Sequence, residues 1–405
     1  MSADDSYPVA FQDQPISQLL VKVATRCNID CSYCYWFRDA AVYDKPKLMS
    51  ADVLHQLLLR IEQHVASYSL VDFPIVLHGG EPLLWGRENF HRFAEACEAI
   101  SSRTGCEIPI AVTTNGVLID DEWLTCFEVC NISVAISLDG PAHIHDTHRR
   151  TFQGTGTHAA VERAARMLVS RDICASALAV CNPSYQPKQY VEFFAHCGIA
   201  NYDIMIPDAT ADEKPPSIAS FYSGLFDLWL EANRSKPTVN IRIISDMITA
   251  LLGNNSPTEG VGYQPVELCT IMTDGSVEAH DVLRIAGDGF TQTTFNIFEH
   301  AIDEVRNEQP WKAARDALRE MPAVQVHERL RWRLSSASLF QEERLRQPFG
   351  LLRRPLRDVR EHAIGARRAS LRQQARRRTS RCAGRIGIAG TICPRRRDDR
   401  CRQIL

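Results

Sequence analysis

LLVKVATRCNIDCSYCYWF, residues 19–37, decides how this chain folds. Its first seven residues read as a short buried strand. That strand delivers Cys27, Cys31 and Cys34 in a C-x₃-C-x₂-C spacing. Three thiolates in one short loop can hold three irons of a cubane iron–sulfur cluster and leave the fourth iron open. Most such clusters take four cysteines. An open iron can bind a small molecule, which makes the cluster a reaction site. A structural zinc site is the competing reading, but it wants a fourth ligand and usually paired C-x₂-C units. The position of the loop at a strand end favours the cluster.

Outward from this loop, strands and helices alternate. Residues 50–66 read as a helix, capped by Ser50, with Val53, Leu57, Leu58 and Ile61 on one face. FPIVLHGG (73–80), PIAVTTNG (109–116), ISVAISLDG (132–140), ICASALAVCN (173–182) and YDIMIP (202–207) read as further strands. Helices are expected near 88–102, 121–128, 157–170, 187–196 and 217–233. Six such units predict an α/β fold with a parallel sheet and helices outside. Right-handed crossovers would curl the sheet into a partial (β/α)6 TIM-like barrel. Chemistry in these folds collects at the C-terminal strand ends. Cys27 to Cys34, Gly79 to Pro82, Thr114 to Gly116 and Ser137 to Gly140 all stand at such ends.

The bulk properties set limits. With 405 residues, 45% of them hydrophobic, the chain can build one large domain and a smaller one. No run of eighteen apolar residues predicts a membrane span. The acidic start, MSADDSYPVAFQDQ, is not a secretory signal. Fourteen cysteines without an export signal point to the cytoplasm, with free thiols and metal ligands rather than disulfides.

The combined motifs resemble the radical S-adenosylmethionine (SAM) superfamily. CNIDCSYCYW is similar to its cluster loop, HGGEPLL to its GGEP motif, and TTNG and SLDGP stand at the corresponding strand ends. The likeness covers residues 19–235. A closer one reaches about residue 305, where SLDGPAHIHDTHR and CTIMTDGSVEAHDVLRIAGDGFTQTTFNIF resemble SPASM-containing peptide maturases, particularly those that crosslink side chains into cyclophanes. This resemblance implies a [4Fe-4S] cluster on Cys27, Cys31 and Cys34 that binds SAM and cleaves it reductively, generating a radical that abstracts hydrogen. It implies a ribosomally made precursor peptide as substrate and a reductant protein such as a flavodoxin or ferredoxin. Auxiliary [4Fe-4S] clusters belong to the same plan, with Cys269 as one ligand.

The SAM contacts it implies are also specific. Gly79 and Gly80 would let the backbone approach the methionyl amine. Glu81 would anchor that strand end or an amino group. Asn115 and Ser137 would hydrogen-bond the ribose or the methionyl carboxylate, and Asp139 would join them or lock its own turn. Arg149 or its neighbour Arg150 would pair with the carboxylate. Tyr33 would pack by the adenine. No catalytic base is evident. His143, His145, Asp146 and His148 lack regular ligand spacing and read as a polar loop. Cys126 and Cys130, at i and i+4, could share a metal but read more simply as small buried residues.

The C-terminal region reads differently. From residue 326 onward there are twenty-two Arg, no Lys and seven acidic residues, a net +15. Residues 1–325 carry 24 basic and 42 acidic residues, a net −18, which together recover the overall −3. The CGGGY-like and NPSVYC-like segments expected after Cys269 are missing. Shifted by one base, however, VHERLRWRL can encode CTSGCGGGY, and FQEERLRQPFGLLR can encode FKKNGFDNPSVYC. Trp332 has a single codon, so the shifted codon there must read Gly.

Residues 325–405 are therefore expected to be an out-of-frame, poorly ordered tail, with Cys382, Cys393 and Cys401 accidental. The expected organisation is a radical SAM core (1–235), the start of an auxiliary-cluster region (236–324), and this tail. Too few residues precede the first strand for a leader-binding domain. Peptide recognition would then use the barrel, the C-terminal region or a separate protein. Rival readings are an anaerobic sulfatase-maturating enzyme, a nonfunctional gene product, and a nucleic-acid binder using the basic tail.

Overall fold

The computed structural model describes residues 15–173, 175–209, 216–251, 261, 267–308 and 311–312. The predicted tail, with its cysteines, lies outside them, as does Cys174.

The strands and helices come in the predicted alternation. In chain order they are β1 (Gln18–Ala24), β2 (Asp30–Cys31), α1 (Ala51–Ser67), β3 (Ile75–Gly79), α2 (Arg87–Thr104), β4 (Ile110–Thr114) and α3 (Asp121–Val129). Next come β5 (Ile132–Ser137), α4 (Ala142–His148), β6 (Arg149–Arg150), α5 (His158–Ser170), β7 (Ala175–Val180), α6 (Pro187–Cys197) and β8 (Asn201–Met205). The described elements end with α7 (Ala219–Ala232), β9 (Asn240–Ile241), α8 (Arg242–Leu251), β10 (Leu268–Ile271) and β11 (Val277–Glu278).

One sheet organises the molecule, in the order β11-β10-β1-β3-β4-β5-β7-β8-β9, and all of its pairings except β10 with β11 are parallel. Its edges are β11 and β9, so the barrel is partial. β1 has neighbours on both sides, Leu19 lying beside Ile75 and Cys269, and Val21 beside Leu77 and Ile271. The register slips between Lys22 and Ala24, where the chain leaves the sheet for the cysteine loop. β9, just past residue 235, adds to β8, and β10 adds to β1, so both continue the sheet of the core. TDGS makes the turn between β10 and β11.

The helices form because their caps and apolar faces agree. Ser50 accepts from the Val53 amide to start α1, and Asp120 accepts from the Trp123 amide to start α3. Each such cap stabilises by about 1 kcal/mol. Leu57 and Ile61 of α1 and Phe90 and Phe93 of α2 join Leu19, Val21, Ile75, Leu77 and Val112 in one continuous core. Fully burying each such side chain is worth roughly 1.5–3 kcal/mol, enough to hold the sheet as a platform for its loops. The segment 142–148, expected as a polar loop, is helix α4. Its inward face carries Ile144 and buried His145, a spacing too short for periodicity to reveal.

Candidate functional site

The loop after β1 is pinned from several directions. Asp30 and Cys31 form a two-residue antiparallel ladder with Arg150 and Arg149. The Ser32 amide donates to the His148 carbonyl at 3.1 Å, and the Ser32 hydroxyl pairs with His148 Nδ1 at 2.7 Å. Trp36 is buried under the loop, its indole N–H donating to the Thr25 carbonyl at 3.3 Å. The Lys22 ammonium lies 4.7 Å and the Arg284 guanidinium 4.6 Å from its ring centroid. This pinning presents Cys27, Cys31 and Cys34 as half-buried free thiols.

Burial pushes the Cys27 thiol up to about 12 and Cys31 up to about 11, and it raises Cys34 as well. The charges of Arg149 and Lys22 work in the opposite direction on Cys34. Three thiols in such surroundings become thiolates once metal cations face them. The donor set therefore fits an iron–sulfur cluster held by three cysteines.

Glu81 anchors the strand ends. It is fully buried, and its carboxylate accepts from the Leu83 amide at 3.0 Å, the Thr114 hydroxyl at 2.7 Å and the Asn115 amide at 2.8 Å. Burial raises its carboxyl to about 7 against the pull of these donors. The Asn115 side chain reaches the cysteine loop, donating to Asn28 Oδ1 at 2.7 Å and to Cys27 Sγ at 3.5 Å. Ser137, the last residue of β5, is half-buried at the same end of the sheet.

Asp139 does not lock its own turn. Its carboxylate accepts from the Val180 amide at 3.0 Å, from Arg149 Nε at 3.0 Å and from the Tyr33 hydroxyl. Burial alone would raise this carboxyl, but Arg149 and His145 bring it below the usual range. The Arg149 guanidinium lies 5.3 Å from the Tyr33 ring centroid. Of the two candidate arginines, Arg149 is buried in this cluster, while Arg150 is exposed and donates to the Asp146 carbonyl. Tyr33 is thus held between Asp139 and Arg149, with the His148 ring 5.1 Å away.

The two glycines have a steric explanation within the chain. A Cβ on Gly79, whose φ is +140°, would lie 1.9 Å from the Ala24 carbonyl oxygen. One on Gly80 would lie 2.5 Å from the Arg26 carbonyl. The close approach that requires glycine is to the start of the cysteine loop itself, sealed by Gly80 N–H to Ala24 O and Glu81 N–H to Arg26 O, both 2.9 Å.

A charged network beneath the loop was not anticipated. Lys22, fully buried in β1, pairs with Asp281 and lies 3.0 Å from His78 Nδ1. The Tyr35 hydroxyl donates to the same Asp281 carboxylate at 2.5 Å. Arg284 bridges Asp39 and Glu278. Burial lowers the Lys22 ammonium, and burial together with Lys22 lowers His78 to about 3. A lone Lys inside an apolar strand was the available sequence signal. Its ionic partner Asp281 lies 259 residues downstream and carries no local pattern. Cys269 is fully buried in β10, and among the described residues no close group of three metal-ligating side chains includes it.

Residues 21–197, which contain the cysteine loop, Glu81, Asn115, Asp139 and Arg149, match the Radical SAM superfamily. The chain carries a radical SAM domain. This domain is enzymatic, and the family implies a [4Fe-4S] cluster and S-adenosylmethionine as cofactors. The chain is 26% identical over 239 residues to an uncharacterised Synechocystis protein, covering 56% of this chain and 58% of that one. It is 27% identical over 285 residues to a cysteine-type anaerobic sulfatase-maturating enzyme of Clostridium perfringens, covering 65% and 73%.

The fold of the radical SAM domain and its flanks is shared with solved structures. That of the enzyme anSMEcpe, with bound AdoMet and a peptide, superposes with a TM-score of 0.64 at 22% identity, covering 73% of this chain and 81% of that one. Streptococcus suis SuiB bound to its precursor peptide SuiA superposes at 0.53 and 14% identity, covering 74% and 66%. Among the described residues no helix is long and apolar enough to cross a membrane.

Proposed function

We propose that this chain is a radical SAM peptide maturase that abstracts hydrogen from side chains of a ribosomally made precursor peptide and crosslinks them. The observation that carries the reading is the lock on the cysteine loop, in which Asp139 holds both Tyr33 and Arg149 while Asn115 reaches Cys27. In this reading Cys27, Cys31 and Cys34 hold the cluster. When bound, the cluster and its SAM supply one-electron cleavage chemistry and a strong hydrogen abstractor. The residues bind and orient. Asn115, Ser137 and Arg149 would hold the methionyl and ribose polar groups, and Tyr33 would pack by the adenine. Gly79, Gly80 and Glu81 keep the end of β3 tight against the loop, and Asp139 holds Tyr33 and Arg149 in register.

The peptide substrate is supported by the resemblance of residues 269–298 to peptide maturases and by the peptides bound in the structural neighbours. A second reading, formylglycine formation in a sulfatase, is favoured by the name of the clostridial relative. Mass spectrometry after anaerobic turnover separates the two. A precursor peptide encoded beside this gene would lose hydrogens and gain a crosslink between side chains. A sulfatase peptide would gain an aldehyde that reacts with hydrazide probes. A crosslink with no aldehyde supports the first reading, and an aldehyde alone overturns it.

We propose a cytoplasmic setting, with a flavodoxin or ferredoxin as electron donor. The proposal that residues 325–405 are out of frame predicts that this chain cleaves SAM but crosslinks peptide poorly, for want of auxiliary-cluster cysteines.

A further inference from the structure

His91, Cys126 and Cys130 converge in the helical layer, away from the loop that carries the cysteine triad. Sequence spacing makes Cys126 and Cys130 look like small buried residues, and it gives His91 no role. In the folded chain the three ligand atoms all lie within 4.8 Å of one another, and Cys130 Sγ is 3.2 Å from His91 Nδ1. Zinc bound tetrahedrally, with Zn–S about 2.3 Å and Zn–N about 2.0 Å, sets its ligand atoms roughly 3.5–3.8 Å apart. The donor atoms therefore lie within about 1 Å of the spacing that zinc requires.

The two helices that supply them are firmly docked. Arg87 of α2 pairs with Asp120 and Glu122 at the start of α3, and the Phe90 and Trp123 rings meet edge to face at 5.1 Å. Cys126 and Cys130 lie one turn apart, on the same face of α3 and its C-terminal cap. Exposed Glu95 lies one turn beyond His91 on α2, and its charge reaches Cys130. Cys126 is buried while His91 and Cys130 are half-buried, so an ion could enter from the Glu95 side. Cys97 and Cys197 are buried cysteines with no such grouping among the described residues.

We propose that His91, Cys126 and Cys130 form a zinc site that clips α2 to α3, with its fourth position open toward Glu95. Two thiolates and an imidazole suit zinc above the hard divalent ions. The site is separate from the [4Fe-4S] chemistry and does not depend on it.

The test uses the cluster-loaded full chain, washed with a chelator and titrated anaerobically with zinc chloride. The expected result is about one tightly bound zinc per chain, with sulfur and nitrogen neighbours in X-ray absorption at the zinc edge. His91→Ala and Cys126→Ser/Cys130→Ser should weaken binding by more than the roughly 10–100-fold that loss of an outer partner costs. Iron content and SAM cleavage should stay unchanged in both variants, which reports that they fold. If a variant fails to fold, the absorption spectrum of the parent protein still decides. Absence of tight zinc binding, a first shell of oxygen only, or unchanged affinity in folded variants would overturn the proposal.

Discussion

Asp139 holds Val180, Tyr33 and Arg149 through one carboxylate, so a single residue couples β7, the cysteine loop and β6. Removing one partner of a buried ion pair typically costs about 3–5 kcal/mol, because the other charge is left uncompensated. Asp139→Asn keeps the shape but removes the charge. It should loosen the loop, lower iron retention after reconstitution and slow SAM cleavage by about tenfold or more. Iron content and 5′-deoxyadenosine yield, measured together, check this. Normal values for both would mean that the Asp139 charge does not hold the cysteine loop.

Gly79 is sterically fixed. An added Cβ would collide with the Ala24 carbonyl, so Gly79→Ala should give little folded, iron-loaded protein. Soluble protein with full iron would show that the strand end can shift. The sequence made these residues visible by type and place. It did not show that the two glycines approach the chain's own backbone, or that Asp139 reaches across to other elements.

At the scale of elements, α4 and the β2–β6 ladder brace the cysteine loop. His145 links them, accepting from the Asp139 amide through Nδ1 at 3.2 Å and pairing with the Thr157 hydroxyl through Nε2 at 3.0 Å. Burial, with the nearby Arg149 charge, lowers His145 to about 4. The unfolded chain takes up this proton near pH 6.5, while the folded chain resists it until about pH 4. Between these values the unfolded state binds more protons, so stability falls as pH falls. The slope from this group approaches about 1.4 kcal/mol per pH unit. His78 acts in the same direction. Thermal unfolding of the parent chain and His145→Gln from pH 7 to pH 5 should show a shallower loss in the variant. Equal slopes would show that His145 does not contribute to the pH dependence.

The long strands and helices were legible because their periodicity and caps agree locally. α4 and β6 were not, since seven-residue and two-residue elements carry too little pattern. The Lys22–Asp281 pair was hidden for a different reason. It depends on β10 and β11 returning beside β1, a contact that no short window contains.

For the whole molecule, the order of β10, β1 and β3 places the downstream hairpin directly beside the strand that carries the cysteine loop. A peptide-modifying chain would join cluster chemistry and substrate contacts across that junction. If the frame shifts near codon 325, restoring it should add the missing auxiliary cysteines and raise peptide crosslinking, with SAM cleavage already present beforehand. The nucleotide sequence around that codon, followed by assay of the corrected chain, checks this. A shifted frame that stops early, or crosslinking at full rate by the present chain, would contradict it.

We propose that Cys27, Cys31 and Cys34 hold the cluster that cleaves S-adenosylmethionine. The most direct measurement is 5′-deoxyadenosine formed by the anaerobically reconstituted chain with S-adenosylmethionine and dithionite, compared with Cys34→Ala. The parent chain should form product and the variant none. Equal product from both, or none from an iron-loaded parent chain, would contradict it.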